Sequence, residues 1–127
     1  MIFNKKETKE NAPAIMIADD AKESDVLYEC THEVCVTMEN ISSIYNHMLV
    51  ALFTENRRLL KETMLQSEDL YHQANDRKHQ IIKTLRRLQE QNIETGHFYI
   101  QVVDYLSEVT KALLHCTRPA YEHIENQ

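Results

Sequence analysis

Apolar residues recur at helical spacing along most of the chain, from about residue 24 to residue 125. Between residues 24 and 52, one set recurs every seven residues and a second set follows three or four positions later. Such a pattern is typical of a helix that packs one stripe against neighbouring helices. We therefore predict a first helix over 24–52 whose core stripe comprises Leu27, Val34, Ile41 and Met48 with Cys30, Met38, Ile44 or Tyr45, and Leu52.

A second helix is predicted over residues 55–91, with Thr54 as its N-cap and Glu55 in its first turn. Its core stripe comprises Leu60, Ser67, Ala74, Ile81 and Leu88, with Leu70 and Leu85 between them. Further apolar residues widen the apolar side of this helix. They indicate either a wide core face or a second face for a partner. These residues are Leu59, Met64, Leu65, Tyr71 and Ile82.

The third predicted helix begins near Asn92 or Thr95, just before Gly96, the only glycine, and ends near residue 125. Its stripe combines two seven-residue sets: Tyr99, Leu106, Leu113 and Ala120, and Val102, Val109, Cys116 and His123.

Short corners make consecutive helices antiparallel. The fold class is therefore all-α: an up-down-up three-helix bundle of long antiparallel helices over 24–127. A polar lead-in over 1–23 precedes it and carries one apolar patch at residues 14–18.

Composition supports a helical chain and narrows the partners. One glycine and two prolines in 127 residues leave few positions for tight turns. The formal net charge of −6 argues against nucleic-acid binding. Three cysteines, an odd number, are typical of reduced thiols in a cytoplasmic protein.

The charge is distributed unevenly, because residues 55–91 hold 8 Lys/Arg and 6 Asp/Glu against an acidic remainder. Lys83, Arg86 and Arg87 share one side of the second helix, opposite its apolar stripe. This basic face is either a solvated surface or a contact for anionic lipid headgroups or an acidic partner.

Two Glu-x-x-His motifs, Glu29/His32 and Glu94/His97, have the spacing that helical di-iron proteins use. Both flank the predicted core stripes, so we predict that they point outward and form no such site. Cys30 and Cys116 fall on the stripes and are interpreted as small buried apolar residues. Motifs for nucleophilic catalysis or phosphate-binding loops are absent, so the prediction is a non-enzymatic protein without a cofactor.

Segments 83–89 ("KTLRRLQ") and 94–108 ("ETGHFYIQVVDYLSE") carry a family resemblance that extends over about residues 26–126. The chain resembles the PhoU-like cytoplasmic C-terminal domain of bacterial sodium/phosphate cotransporter family proteins. The resemblance implies a three-helix PhoU repeat that follows a membrane helix at the cytoplasmic face of the inner membrane. It also implies a regulatory or interaction role in sodium-dependent phosphate transport.

The partners implied by the resemblance are the transporter's membrane domain in cis or a second PhoU-like repeat, which a homodimer would supply. PhoU proteins bind metal clusters through an acidic helical motif, and the corresponding stretch here is residues 105–111. Ser107 and Lys111 stand where the motif has carboxylates, so the metal site is not carried over. The metal candidates that remain are Glu94, His97, Asp104 and Glu108.

Two alternative functions stay open at this point. One is a metal-binding helical bundle of the PhoU or ferritin-like type, which would use the candidates above with Glu29 and His32. The other is a free-standing oligomerisation module.

Overall fold

The computed structural model describes residues 23–126, which form three long helices. They are α1 (Glu23–Phe53), α2 (Arg57–Gln91) and α3 (Ile93–Glu125), of 31, 35 and 33 residues. Each helix packs against the other two, α2 and α3 most extensively. The predicted all-α three-helix bundle is confirmed. The predicted lead-in lies outside the described residues except for its last position.

The corner between α1 and α2 differs from the prediction at its cap. Thr54 does not cap α2; its hydroxyl donates to the carbonyl of Val50 at 2.8 Å, at the end of α1. Glu55 precedes α2 and adopts a left-handed backbone with φ 51°. Asn56 is the N-cap, and its Oδ1 accepts from the Leu59 backbone N–H at 3.0 Å. The left-handed residue lets the chain reverse direction after α1. The N-cap of α2 therefore lies two positions after the predicted one.

The corner between α2 and α3 is a single residue, Asn92. Its backbone N–H donates to the Leu88 carbonyl at 2.8 Å, which ends α2. Its side chain accepts from the Thr95 backbone N–H at 3.2 Å, which begins α3. Asn92 was one of the two predicted caps; Thr95 is inside the helix.

Gly96 lies in the first turn of α3 and is buried against the last turns of α2. A Cβ at this position would lie 2.5 Å from the Cα of Gln89 and 2.6 Å from its backbone nitrogen. The one-residue corner forces this close approach, and only glycine permits it.

The core contains three apolar clusters along the bundle axis. One lies at the end where α1 and α3 begin: Val26, Cys30, Ile81, Leu85, Leu88 and Val103. The middle cluster comprises Ile44, Leu70 and Leu113. The third lies at the opposite end: Met48, Ala51, Leu60 and Ile124.

The predicted core stripe of α2 is confirmed in full. All seven residues are buried, and Thr63 is buried with them. Of the further apolar residues predicted to widen the apolar side of this helix, Leu65 is exposed and the others are half-buried. The extra apolar surface of α2 is thus mostly a wide core face.

The predicted stripe of α1 is confirmed in part. Cys30, Ile44 and Met48 are buried, and Leu27, Ile41 and Leu52 are half-buried against the core clusters, whereas Met38 is exposed. The buried line also includes Val26, Glu33, Thr37 and Ala51. On α3 the second predicted set is wrong: Val103, Thr110, Thr117 and Ile124 are buried in place of Val102, Val109, Cys116 and His123. The helices are rotated so that several polar side chains face the core.

Several buried hydroxyl groups donate to backbone carbonyls of their own helices. Thr63 and Ser67 donate to the carbonyls of Leu60 and Thr63 at 2.8 and 2.7 Å. Thr110 donates to the Ser107 carbonyl at 2.7 Å. Because a hydroxyl that bonds its own helix needs no partner elsewhere, these residues can occupy core positions.

Candidate functional sites

The predicted outward orientation of the second Glu-x-x-His motif is confirmed, since Glu94 and His97 are both exposed at the start of α3. Glu29 and His32 are half-buried on α1, where the His32 ring stacks on Tyr28 with centroids 6.2 Å apart. Among residues 23–126, no three His, Cys, Asp or Glu side chains lie close enough together to hold a metal ion.

Of the acidic metal candidates Asp104 and Glu108, the first pairs with a lysine of α2. Asp104 accepts a hydrogen bond from Lys78 Nζ at 2.7 Å, which ties α3 to α2. Glu108 is exposed one turn later. Further along the same helix pair, Arg118 donates to Glu68 at 3.0 Å. The Asp104 carboxylate thus contributes to helix packing.

The basic face lies on the outer side of α2. Lys83, Arg86 and Arg87 are all exposed, while Ile81, Leu85 and Leu88 on the opposite side are buried. The three side chains therefore lie on the solvent side of the helix.

A buried charge pair between α1 and α2 was not predicted. Glu33 is 5% exposed, and its Oε2 accepts a hydrogen bond from Arg77 Nη1 at 2.5 Å. Its other oxygen, Oε1, has no partner in the described structure. Burial raises the pKa of Glu33 above its usual value, an effect that the charge and hydrogen bond of Arg77 partly offset. The only sequence signal for this pair is that Glu33 lies three residues after Cys30 and four before Thr37.

A small void of about 20 Å³ adjoins the pair, enough for about one water molecule. Burial and the charges of Glu29 and Glu33 raise the pKa of the neighbouring Cys30 thiol to about 12, which keeps it protonated at neutral pH. The arrangement therefore has no activated nucleophile, and its visible effect is to fix how α1 faces α2.

No protein-family model, curated protein or solved structure matches this chain. None of the described helices carries an apolar stretch long enough to cross a membrane.

A groove between α1 and α2 has a volume of about 360 Å³. Its mainly polar lining includes Asn40, Ser43, His47, Asp69 and Gln73.

Apolar side chains on the solvent side of α3 recur with alternating spacings of four and three residues. We call this set the α3 seam: Phe98, Val102, Tyr105, Val109, Ala112 and Cys116. Val102 is half-buried and the others are exposed, Tyr105 at 63% and Phe98 at 58%. Cys116, predicted in the core, belongs to this seam. Alternating spacings of four and three produce a narrow stripe of the kind that packs against another helix.

A stripe with the same spacing lies on α1. We call it the α1 seam: Cys35, Met38, Ser42, Tyr45, Leu49 and Leu52. Met38, which was predicted in the core, is 41% exposed, and Tyr45, the predicted alternative to the buried Ile44, is 44% exposed. Neither seam contains a charged residue.

Proposed function

We propose that this chain is a non-enzymatic interaction domain that regulates sodium-dependent phosphate transport. The observation that carries the interaction role is the pair of uncharged seams on α1 and α3, whose residues are exposed except for the half-buried Leu49, Leu52 and Val102. Helices that complete their packing within one bundle expose single apolar residues, whereas a regular exposed stripe marks a surface for another helix. The transport role is supported by the resemblance of segments 83–89 and 94–108 to PhoU-like cytoplasmic domains.

In this proposal the domain acts at the cytoplasmic face of the inner membrane and uses two different surfaces. The seams on α1 and α3 contact a helical protein partner, either the transporter's membrane domain or a second PhoU-like repeat. The basic face of Lys83, Arg86 and Arg87 contacts anionic headgroups or an acidic surface. The exposed positions of these three cations on the outer side of α2 support the second contact.

The transport role is tested in the native host by deleting residues 23–126 in frame. Sodium-dependent uptake of labelled phosphate is measured after growth in phosphate-rich and phosphate-poor medium. We expect the deletion to abolish the difference in uptake between the two media. An unchanged difference would contradict the regulatory role.

A metal-binding function is a separate candidate, which elemental analysis of the gently purified protein decides. Bound iron or zinc in stoichiometric amount would favour it over the interaction domain. The Lys78–Asp104 contact argues against it, because that contact occupies one of the candidate ligands.

A further inference from the structure

Helix α1 buries a charge and at the same time leaves apolar side chains exposed. Glu33 is 5% exposed, its Oε1 has no hydrogen-bond partner among the described residues, and burial of its charge raises its pKa. Thr37 is buried one turn later, whereas Met38 and Tyr45 of the α1 seam are exposed. Burying a charge costs free energy, and exposed apolar surface forgoes stabilisation. The orientation of α1 is therefore not the one that apolar burial alone would select.

The α1 seam lies one residue after the buried line of the same helix. The pairs of buried and seam residues are Thr37 and Met38, Ile44 and Tyr45, Met48 and Leu49, and Ala51 and Leu52. Successive residues of an α-helix lie about 100° apart around its axis. A turn of α1 by one residue about its own axis therefore gives each of these seam residues the place of a buried one. The same turn carries Glu33 to the half-buried place of His32.

The ion pair of Glu33 with Arg77 opposes such a turn. Arg77 Nη1 donates to Glu33 Oε2 at 2.5 Å, and the two side chains are only 24% and 7% exposed. Because the partners lie on different helices, the bond forms only while Glu33 faces α2. A buried pair that is broken leaves an uncompensated charge, which is strongly unfavourable. The pair thus holds α1 in one orientation against the tendency to bury the seam.

The bundle offers both the space and the corner that a turn of α1 requires. The groove of about 360 Å³ between α1 and α2 adjoins Ile44, whose place the larger Tyr45 would take. The corner between these helices spans residues 54–56 and contains Glu55 in a left-handed conformation, which is unfavourable for residues other than glycine. In contrast, Asn92 alone joins α2 to α3. Helix α1 is therefore the one that can turn.

We propose that α1 has a second packed state, turned by about 100°, in which its seam replaces Glu33 and Thr37 against α2 and α3. The Glu33–Arg77 pair selects the observed state over the turned one. Packed helices exchange between discrete arrangements of this kind and do not deform continuously. The turn would hide the α1 seam, and in this regulatory consequence alone the inference rests on the proposed interaction role.

Two cysteines of α1 report the turn. In the observed state Cys30 is buried and Cys35 is exposed. After the turn, Cys30 would take the half-buried place of Glu29, and Cys35 would take that of Val34. Mass spectrometry measures the rate at which iodoacetamide labels each cysteine of the native protein. The exposed Cys116 is the internal reference, because it lies on α3, which does not turn.

Arg77→Met breaks the pair and should shift the protein toward the turned state. Relative to Cys116, we expect Cys30 to react about tenfold or more faster than in the wild type and Cys35 to react severalfold more slowly. The slower reaction of Cys35 distinguishes the turn from unfolding, because unfolding cannot protect an exposed thiol. Wild-type rates in a folded Arg77→Met protein, or faster labelling of both cysteines, would overturn the proposal.

Two controls separate the pair from arginine removal in general. Arg58→Met removes an exposed ion pair of α2 and should leave all labelling rates unchanged. The double variant Glu33→Leu/Arg77→Met makes the buried line more apolar and should keep Cys30 slow and Cys35 fast. A double variant that labels like Arg77→Met would contradict the selecting role of the charge on Glu33.

Ser42→Leu provides a second test that does not disturb the core of the observed state. Ser42 is an exposed member of the α1 seam, so leucine at this position favours only the turned state. We expect faster labelling of Cys30 than in the wild type, with helical content unchanged by circular dichroism. If Arg77→Met does not fold, this variant decides, and an unchanged rate at Cys30 would overturn the proposal. None of these measurements depends on phosphate uptake or on a partner, so the proposed function stands or falls separately.

Discussion

The α2–α3 pair and helix α1 differ in how completely their apolar and charged side chains find partners within the bundle. A single capping residue joins α2 to α3, Gly96 lets the two backbones touch, and the ion pairs Lys78–Asp104 and Glu68–Arg118 link their sides. Helix α1 is different, because its buried line includes Glu33 and Thr37 while Met38 and Tyr45 remain exposed. The comparison teaches that α2 and α3 form a complete hairpin, whereas α1 and the outer side of α3 keep apolar side chains exposed.

The largest effect on the free energy of unfolding is expected from Gly96→Ala, which disturbs the close packing of α2 and α3. The new Cβ would meet backbone atoms of Gln89 that cannot move aside without separating the helices. We expect a loss of about 3 kcal/mol in the free energy of unfolding, despite the better helix propensity of alanine. Urea denaturation measures it, with the exposed Gln101→Ala on the same helix as control. A change as small as that of the control would show that the hairpin does not depend on this contact.

Arg77→Met removes the ion pair that joins α1 to α2 and should have the next largest effect on the free energy of unfolding. It leaves the Glu33 carboxylate buried with neither oxygen partnered. Breaking a fully buried pair costs about 3–5 kcal/mol, and we expect about 2 because Arg77 is partly exposed to water.

Arg58→Met is the matched control for this substitution, because it removes an exposed i,i+4 pair with Glu62 and should cost less than about 0.5 kcal/mol. Equal effects of the two arginine substitutions, measured by urea denaturation, would contradict the structural role of the Glu33–Arg77 pair.

Glu33→Gln should change stability little at neutral pH but should alter its pH dependence. The pKa of Glu33 is raised in the folded state, so the folded protein holds this proton more tightly than the unfolded chain does. The stability that Glu33 contributes is therefore fully present below its unfolded pKa, near 4.5, and is lost as pH rises through the folded pKa. Relative to Glu33→Gln, the wild type should lose stability over this window. Parallel stability profiles for the two proteins would contradict the buried, destabilised carboxylate.

The apolar pattern of α2 predicted its buried line because that line is more apolar than any other side of the helix. On α1 the same reasoning succeeded for Cys30, Ile44 and Met48 but not for Met38, because the apolar stripe there extends out of the core. On α3 it failed because Thr110 and Thr117 occupy buried positions. Their hydroxyls bond their own helix, so no feature of the sequence separates them from surface threonines.

For the candidate sites too, the sequence predicted what the apolar pattern of one helix determines and missed what the packing between helices determines. Exposure of Lys83, Arg86 and Arg87 was predictable, because each lies opposite a buried leucine or isoleucine. The Glu33–Arg77 pair was not, because its partners are 44 positions apart in sequence and only the packing of α1 on α2 joins them. The reason for Gly96 also required the structure, since a close backbone approach leaves no trace in a periodic pattern.

Thiol labelling tests most directly the claim that the bundle leaves the seams of α1 and α3 exposed while it buries the opposite side of α1. Cys35 and Cys116 are exposed members of the two seams, whereas Cys30 is buried with a raised pKa. We predict that a thiol reagent modifies Cys35 and Cys116 quickly in the native protein. Cys30 should react slowly until urea unfolds the chain. Labelling of Cys30 in the native protein that is as fast as that of Cys35 and Cys116 would contradict the account.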